Sequence, residues 1–129
     1  MNVVDSSGWL EFFADGPNAP FFAAAIEDLT GLIVPTISIY EVYKRVLQQR
    51  GQRDAMDAVA AMQQGHVVDL DVGIAVSAAT ISLAEQLPLA DSVILASARA
   101  HAATLWTQDA DFEKVAGVRF VERPPGPRS

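Results

Sequence analysis

The sequence predicts an α/β fold with a central, mostly parallel sheet of four to five short strands. Short β-rich runs alternate along the chain with longer stretches of helical spacing, which is typical of a parallel sheet covered by helices. The 129 residues, half of them apolar, suffice for one well-packed core and contain no repeat or linker. We therefore expect one domain over residues 1–123 and a disordered, proline-rich tail over residues 124–129.

Five β-rich runs predict the strands of this sheet. They occupy residues 2–4, 32–34, 66–70, 104–107 and 118–122. Thr30 and Gly31 form a turn before the second strand, and His66 begins the third.

Five longer stretches show the spacing of amphipathic helices. They occupy residues 19–29, 37–50, 53–64, 73–86 and 91–103. Pro35, Thr36 and Ser38 give a start signal for the second of these helices, and Gly51 marks its end. Asp91 precedes a strongly apolar run, so we expect it to cap or begin the last helix.

Composition argues against several classes of protein. The chain has no cysteine, so neither a disulfide framework nor a thiolate metal site is available to it. Residues 1–5 lack the features of a signal peptide. The longest weakly polar stretch, residues 72–84, is shorter than the roughly 20 residues that span a bilayer. We expect a cytoplasmic protein with no membrane segment.

The charge balance is acidic. Sixteen acidic and nine basic side chains give a formal net charge of -7, which repels a polyanion such as nucleic acid. This objection weakens if several carboxylates surround one divalent cation, because the bound ion reverses the sign of the local field.

Four acids occupy positions that converge in such a fold. Asp5 and Asp109 each follow a predicted strand, and Asp91 lies at the start of a predicted helix. Ligands of open parallel sheets bind beyond the carboxyl ends of the strands, where the strand order reverses. Glu41 lies early in its own helix among apolar neighbours, so we expect it to be partly buried and in need of a partner.

Carboxylates gathered in one pocket repel one another unless a cation joins them. Oxygen ligands favour Mg²⁺ or Mn²⁺ over zinc, and such ions activate a water for in-line displacement at phosphorus. The pattern therefore predicts hydrolysis of a phosphodiester bond with water as the nucleophile.

Each acid also has a simpler explanation. Asp91 and Asp109 fit helix or loop caps, and Asp5 fits a turn with Ser6 and Ser7. Glu41 fits a surface acid paired with Arg45 one helical turn away. Taken singly, only Asp5 favours a functional role; together the acids favour a site.

These motifs resemble, in order, those of PIN-domain ribonucleases, in the VapC form that serves as the toxin of type II toxin–antitoxin (VapBC) systems. The resemblance covers nearly the whole chain, and its specificity lies in the ordered set rather than in one motif. The segments that carry it are Asp5-Ser-Ser, Ile-Tyr-Glu41-Val, Leu-Pro-Leu-Ala-Asp91-Ser-Val-Ile-Leu-Ala-Ser-Ala and Thr107-Gln-Asp109-Ala-Asp111-Phe.

The resemblance implies roles for these residues. Asp5, Glu41, Asp91 and Asp109 would be the catalytic acids that bind Mg²⁺ or Mn²⁺. Asp111 is a fifth candidate ligand, and Ser6 and Thr107 would be supporting hydroxyls. Asp111 alternatively fits the cap of a short helix at 112–115, Ser6 a turn former, and Thr107 an ordinary strand residue.

The resemblance also implies a three-layer α/β/α sandwich, an RNA substrate and a cognate VapB-like antitoxin that blocks the site with an extended segment. It further implies a homodimer, possibly within a larger toxin–antitoxin assembly. These expectations come from the family and not from composition or spacing.

Other residues carry weaker signals. One basic cluster, on or just after the helix of Glu41, is either an RNA contact or a solvated helix face. It comprises Lys44, Arg45, Arg50 and Arg53. His66 and His101 are too isolated for catalysis or metal binding. We expect the aromatic side chains to pack in the core or at a protein interface: Trp9, Phe12, Phe13, Phe21 and Phe22.

Rival functions follow from the same acids. One is a related nuclease that cuts DNA or structured flaps, and another is a binding module that holds a cation or a basic peptide without turnover. A nucleotide-binding Rossmann domain is the weakest alternative, because Asp-Ser-Ser-Gly follows the first strand in place of a glycine-rich turn.

Overall fold

A computed structural model describes residues 1–125 and contains one sheet of five strands, all parallel. The order across the sheet is β3-β2-β1-β4-β5. The strands are β1 (Asn2–Val4), β2 (Leu32–Pro35), β3 (His66–Val68), β4 (Thr104–Thr107) and β5 (Val118–Phe120). The prediction of an α/β fold on a parallel sheet is confirmed, although β3 and β5 are two residues shorter than expected.

The strand order reverses at β1. The chain runs from β1 outward to β2 and β3, then returns to the other side of β1 as β4 and continues to β5. Val4 pairs with Trp106 at the end of this central ladder, so β1 and β4 finish side by side. Such a reversal leaves a crevice beyond the two strand ends, because the connections leave in opposite directions.

Six α-helices connect and cover the strands. They are α1 (Ser6–Phe13), α2 (Ala19–Ile26), α3 (Thr36–Arg50), α4 (Gln52–Met62), α5 (Val72–Glu85) and α6 (Leu89–Ala100). Two short 3₁₀ turns, Leu29–Gly31 and Ala110–Phe112, complete the regular structure of the described residues. Gly51, with φ +91°, ends α3 and begins α4.

Side chains of each strand alternate between two apolar cores. Val3, Ile33 and Leu105 face the core that is closed by α5 and α6. Val4 and Trp106 face the other core, which α1 to α4 cover. The result is the predicted three-layer α/β/α sandwich, with the sheet buried on both sides as parallel sheets require.

One helix was missed in the sequence, and the predicted start of another is wrong. α1 was not expected, because it has only eight residues and opens on Ser-Ser-Gly, where helical spacing is weak. α6 begins at Leu89 after Pro88, which has the extended backbone of a helix cap. Asp91 is therefore the third residue of α6 and not its cap or first residue.

No single helix in residues 1–125 is long and apolar enough to cross a membrane; α5 and α6 meet that criterion only as a pair bent by 116°. Of the tail expected to be disordered, Pro124 and Pro125 line a surface groove described below, and residues 126–129 lie outside the described part of the chain.

Candidate metal centre

Asp5 lies where β1 ends and α1 begins, and it is only 2% exposed. Its side chain caps α1: Oδ1 accepts hydrogen bonds from the Gly8 amide at 2.9 Å and from Ser7 Oγ at 2.8 Å. The strand end and the cap are thus the same residue. Because the cap holds the carboxylate at the helix N-terminus, the helix dipole helps to stabilise its charge.

Thr107 joins two of the predicted acids. Its buried hydroxyl donates to Asp5 Oδ2 at 2.6 Å and accepts from the Asp109 amide at 2.9 Å. Thr107 ends β4, so this pair of hydrogen bonds couples the ends of the two central strands. The supporting hydroxyl expected at Thr107 therefore lies between Asp5 and the backbone of Asp109.

Asp91, Asp109 and Asp111 form the most compact group of acids. Each offers one carboxylate oxygen, and these three atoms lie within 4.8 Å of one another. Asp109 caps the turn Ala110–Phe112 by accepting from the Asp111 amide at 3.0 Å, so the expected cap role of Asp111 over residues 112–115 is wrong. Asp111, the fifth candidate ligand, belongs to this group.

Glu41 is half-buried on α3 and faces α1. Its Oε1 accepts a hydrogen bond from Ser6 Oγ at 2.6 Å, so the second predicted hydroxyl lies beside Glu41. The alternative pairing of Glu41 with Arg45 is not formed: within residues 1–125 the ion pair found is Arg50–Asp54, at 4.0 Å on the surface.

Burial and mutual repulsion raise the pKa of two of these carboxyls. Burial raises the pKa of Asp5 to about 6, although Thr107, Gly8 and Ser7 oppose the shift by hydrogen bonding. The pKa of Asp91 is raised to about 7, first by burial and then by the negative charges of Asp109, Asp5, Glu41 and Asp111. All five acids therefore act on one electrostatic site.

The donor set fits a divalent cation with hard oxygen ligands. Carboxylate oxygens of Asp91, Asp109 and Asp111 converge, and Asp5 and Glu41 add negative charge around them. No arginine or lysine within residues 1–125 forms an ion pair with any of the five. Mg²⁺ and Mn²⁺ prefer such oxygen ligands and keep waters in the remaining positions.

A groove of about 780 Å³ lies between α1, α3 and α4. The five acids do not line it, but Ser7, which donates to Asp5, and Gln108, which precedes Asp109, do. Arg45 and Arg50 of the predicted basic cluster line it together with the acids Glu11, Asp54 and Asp57. Lys44 instead lies 5.7 Å from the centre of the Tyr40 ring, and Arg53 is exposed on α4.

The remaining predictions concern residues outside the acidic group. Trp9 and Phe22 are fully buried and the other three named aromatic side chains pack against the same core, which confirms the packing role. His66 begins β3, and His101 Nδ1 donates to the Ser97 carbonyl at 2.8 Å. Neither histidine belongs to the acidic group.

Three residues were not predicted as part of the site, although Ser7 was expected to form a turn with Asp5. Ser7 and the Gly8 amide hold Asp5, and Gln108 lies buried between Thr107 and Asp109. The Asp-Ser-Ser-Gly segment carries a cap signal that could have revealed Ser7 and Gly8. No local signal marks Gln108, because its partners are distant in sequence.

The fold and this site define a doubly wound α/β protein with an acidic centre suited to a divalent cation. The chain belongs to the PIN domain family, whose model matches residues 3–118. Among curated proteins, sequence comparison finds no match.

Several solved structures share the fold. A toxin–antitoxin complex from Klebsiella pneumoniae superposes with a TM-score of 0.76 and 21% identity, over 92% of this chain and 96% of that chain. VapC20 of Mycobacterium tuberculosis, a sarcin-ricin loop cleaving toxin, gives 0.76 and 16% over 97% and 100%. DNA-bound VapBC from Salmonella typhimurium gives 0.72 and 15% over 95% and 97%. At these identities the likeness is one of fold.

Proposed function

We propose that this PIN domain is a divalent-metal-dependent endoribonuclease that acts as the toxin of a type II toxin–antitoxin pair. The observation that carries the proposal is the convergence of Asp91, Asp109 and Asp111 at the reversal point of the sheet. Family membership and the toxins among the solved relatives support it. We further propose that the protein acts in the cytoplasm.

The residues of the site would have different roles. Asp91, Asp109 and Asp111 would hold Mg²⁺ or Mn²⁺, with Asp5 and Glu41 completing the negative shell. When bound, such an ion lowers the pKa of water and stabilises the negative charge that develops at phosphorus. Thr107 keeps one oxygen of Asp5 oriented, and Ser6 does the same for Glu41. The nucleophile is water rather than a side chain.

The groove beside the acids offers a path for the RNA backbone. Arg45 and Arg50 line it together with Glu11, Asp54 and Asp57, and Arg50 lies 4.0 Å from Asp54. The two arginines would reduce, at this place, the repulsion of nucleic acid by a chain with net charge -7. We expect the double substitution Arg45→Gln and Arg50→Gln to weaken RNA cleavage and its salt dependence. Unchanged cleavage and salt dependence would remove these arginines from the binding path.

The substrate is tested by competition between RNA and DNA strands of matched sequence, with Mn²⁺ present. Preferential RNA cleavage that EDTA stops, and that Asp91→Asn or Asp5→Asn abolishes, is the expected result. Preferential DNA or flap cleavage would favour the related nuclease instead. Metal binding without turnover on either strand would favour a binding module.

The proposed partner is an antitoxin that covers the site. The groove has an apolar side, formed by Leu10, Phe13 and Val46, that suits an extended peptide with apolar side chains. Copurification of the product of an adjacent reading frame, and inhibition of cleavage by it, tests the partner. Failure of that product to bind would contradict the proposal.

We also propose a homodimer, formed through the outer face of α5. Val72, Val76 and Leu83 are 81%, 64% and 85% exposed and, with Ala79, repeat at heptad spacing on the side opposite the buried residues. Apart from Glu85 the helix carries no charge. Because two copies of a chain with net charge -7 repel each other, an uncharged face favours contact between copies.

A further inference from the structure

Gln108 is a buried amide between two residues of the metal centre. It is 6% exposed, directly follows Thr107 and directly precedes Asp109. An amide removed from water costs free energy unless its oxygen and nitrogen find partners. The partners of Gln108 therefore show what its burial accomplishes.

Asn18, in the loop between α1 and α2, is the first of these partners. Its Nδ2 donates to Gln108 Oε1 at 2.9 Å and to the carbonyl of Glu122 at 3.1 Å. Ser7 is the second partner: Gln108 Nε2 donates a hydrogen bond to the Ser7 carbonyl at 3.4 Å. A backbone carbonyl only accepts, so the carbonyls at the two ends set the orientation of both amides.

Asn18 is itself held in place. Its backbone amide donates to Glu11 Oε2 on α1 at 2.8 Å. Both hydrogens of its side-chain amide have acceptors, one on Gln108 and one on the chain that leaves β5. The pair therefore connects the start of α1, the loop before α2, the end of β4 and the segment after β5.

We infer that Gln108 and Asn18 are positioning residues that set the separation of Asp5 from Asp109. Asp5 is gripped from α1 by Ser7 and Gly8, and from β4 by Thr107. Gln108 joins the same two elements by a second route that bypasses Asp5, because it bridges the Ser7 carbonyl and the loop of Asp109. The inference rests on the proposed metal-dependent function.

The test measures the affinity for Mn²⁺ from the electron paramagnetic resonance signal of free ion. The proteins are wild type, Asn18→Ala, Gln108→Ala and the double variant, at a temperature where each is folded. We expect each single substitution to weaken binding by about tenfold, the lower end for lost supporting contacts at metal sites. Because the residues act through each other, the double variant should lose no more than either single one.

Two further variants sharpen the result. Gln48→Ala removes an exposed amide of α3 and should leave the affinity unchanged. Asn18→Asp keeps the shape but presents an oxygen to Gln108 Oε1, so it should also weaken binding, and it replaces Gln108→Ala if that variant does not fold. Circular dichroism in EDTA identifies the folded variants.

The possible outcomes distinguish the positioning role from the proposed metal-dependent function. Wild-type affinity in the folded variants, or losses that add in the double variant, would overturn the positioning role alone. Absence of Mn²⁺ binding by the wild-type protein would overturn the proposed function and the inference with it.

Discussion

At the scale of single residues, Asp5 and Asp91 carry their charges under different conditions. Asp5 is deeply buried, yet three donors hold its carboxylate: Ser7 Oγ, the Gly8 amide and Thr107 Oγ1. The carboxyl of Asp91 has no hydrogen-bond donor within residues 1–125 and faces four other acids. Burial raises the pKa of both carboxyls, but hydrogen bonds partly stabilise the charge of Asp5, whereas the neighbouring acids further destabilise that of Asp91.

These raised pKa values predict how stability depends on pH without metal, and Asp5, with a pKa of about 6, acts in the same direction as Asp91. The pKa of Asp91 is about 7 in the folded protein and near 3.8 when unfolded, so the folded state binds more protons between those values. Its contribution to stability is complete below about pH 4 and is lost as the pH rises through 7. In EDTA, thermal unfolding should therefore occur at a lower temperature at pH 8 than at pH 5.

Asp91→Asn tests the origin of this loss. The amide is neutral at every pH, so the variant should melt above wild type at pH 8 and differ less at pH 5. Asp57→Asn, an exposed acid on α4, makes the same change in net charge and serves as the control. If Asp91→Asn and Asp57→Asn changed the melting temperature equally, the pH dependence would come from net charge and not from the acidic centre.

Thr107→Val tests how much the bridging hydroxyl of Thr107 contributes to stability. The substitution keeps the side-chain shape but leaves Asp5 Oδ2 and the Asp109 amide each without a partner. Unsatisfied buried groups cost about 1–3 kcal/mol, so urea denaturation in EDTA should show a loss of that order. Thr104→Val, at the exposed start of β4, is the matched control and should change stability little. Equal small losses would mean that the bridge contributes nothing.

At the scale of elements, hydrophobic periodicity predicted every strand and five of the six helices. The sheet could be predicted from the sequence because its strands are bordered by turn residues and alternate with long helices. α1 was missed because it spans only eight residues and is recognisable mainly by its cap. Its packing against α2 and α3 supplies stability that local propensity does not.

The acids were predictable for the same reason as the strands. Asp5 and Asp109 were placed by the strands that precede them, and Asp91 by its helix. Gln108 and Asn18 could not be paired from the sequence, because 90 residues separate them and neither completes a local motif. Contacts formed only by the packing of distant elements lie beyond pattern reasoning.

Gly8→Ala tests how closely α1 packs against Phe22 and Val4. A Cβ at this position would lie 2.6 Å from a ring carbon of Phe22 and 2.7 Å from a methyl of Val4. Although alanine favours helices, such overlap in a core costs about 1–3 kcal/mol. Gly73→Ala, near the start of α5, meets only Asp71 Oδ1 at 3.5 Å and should not destabilise. Urea denaturation compares the two; equal stability would refute the tight contact.

At the scale of the whole molecule, charge and apolar surface are separated. The acids of the metal centre gather at the reversal point of the sheet, and the uncharged stripe lies on the outer face of α5. The groove between α1, α3 and α4 carries both arginines and acids. The proposed cation site, the proposed RNA path and the proposed contact between copies therefore lie on different parts of one small domain.

Leu83→Arg tests the proposed dimer. A charge at the C-terminal end of the stripe would be buried in the dimer without a partner, so sedimentation should change from dimer to monomer. Leu29→Arg, which also replaces an exposed leucine but lies in the 3₁₀ turn before β2, should remain dimeric. A wild-type monomer, or a dimer in both variants, would contradict the assignment of this face.

The most direct test of the metal centre is a thermal melt at pH 7.5, in EDTA and in excess Mn²⁺, for wild type and Asp91→Asn. A ligand that binds only the folded state stabilises it, by about 2.7 kcal/mol at a hundredfold excess over its dissociation constant. We predict a rise of several degrees in the wild type and little or none in the variant, although the variant is the more stable protein in EDTA. No rise in the wild type, or an equal rise in both, would contradict a cation site built on these acids.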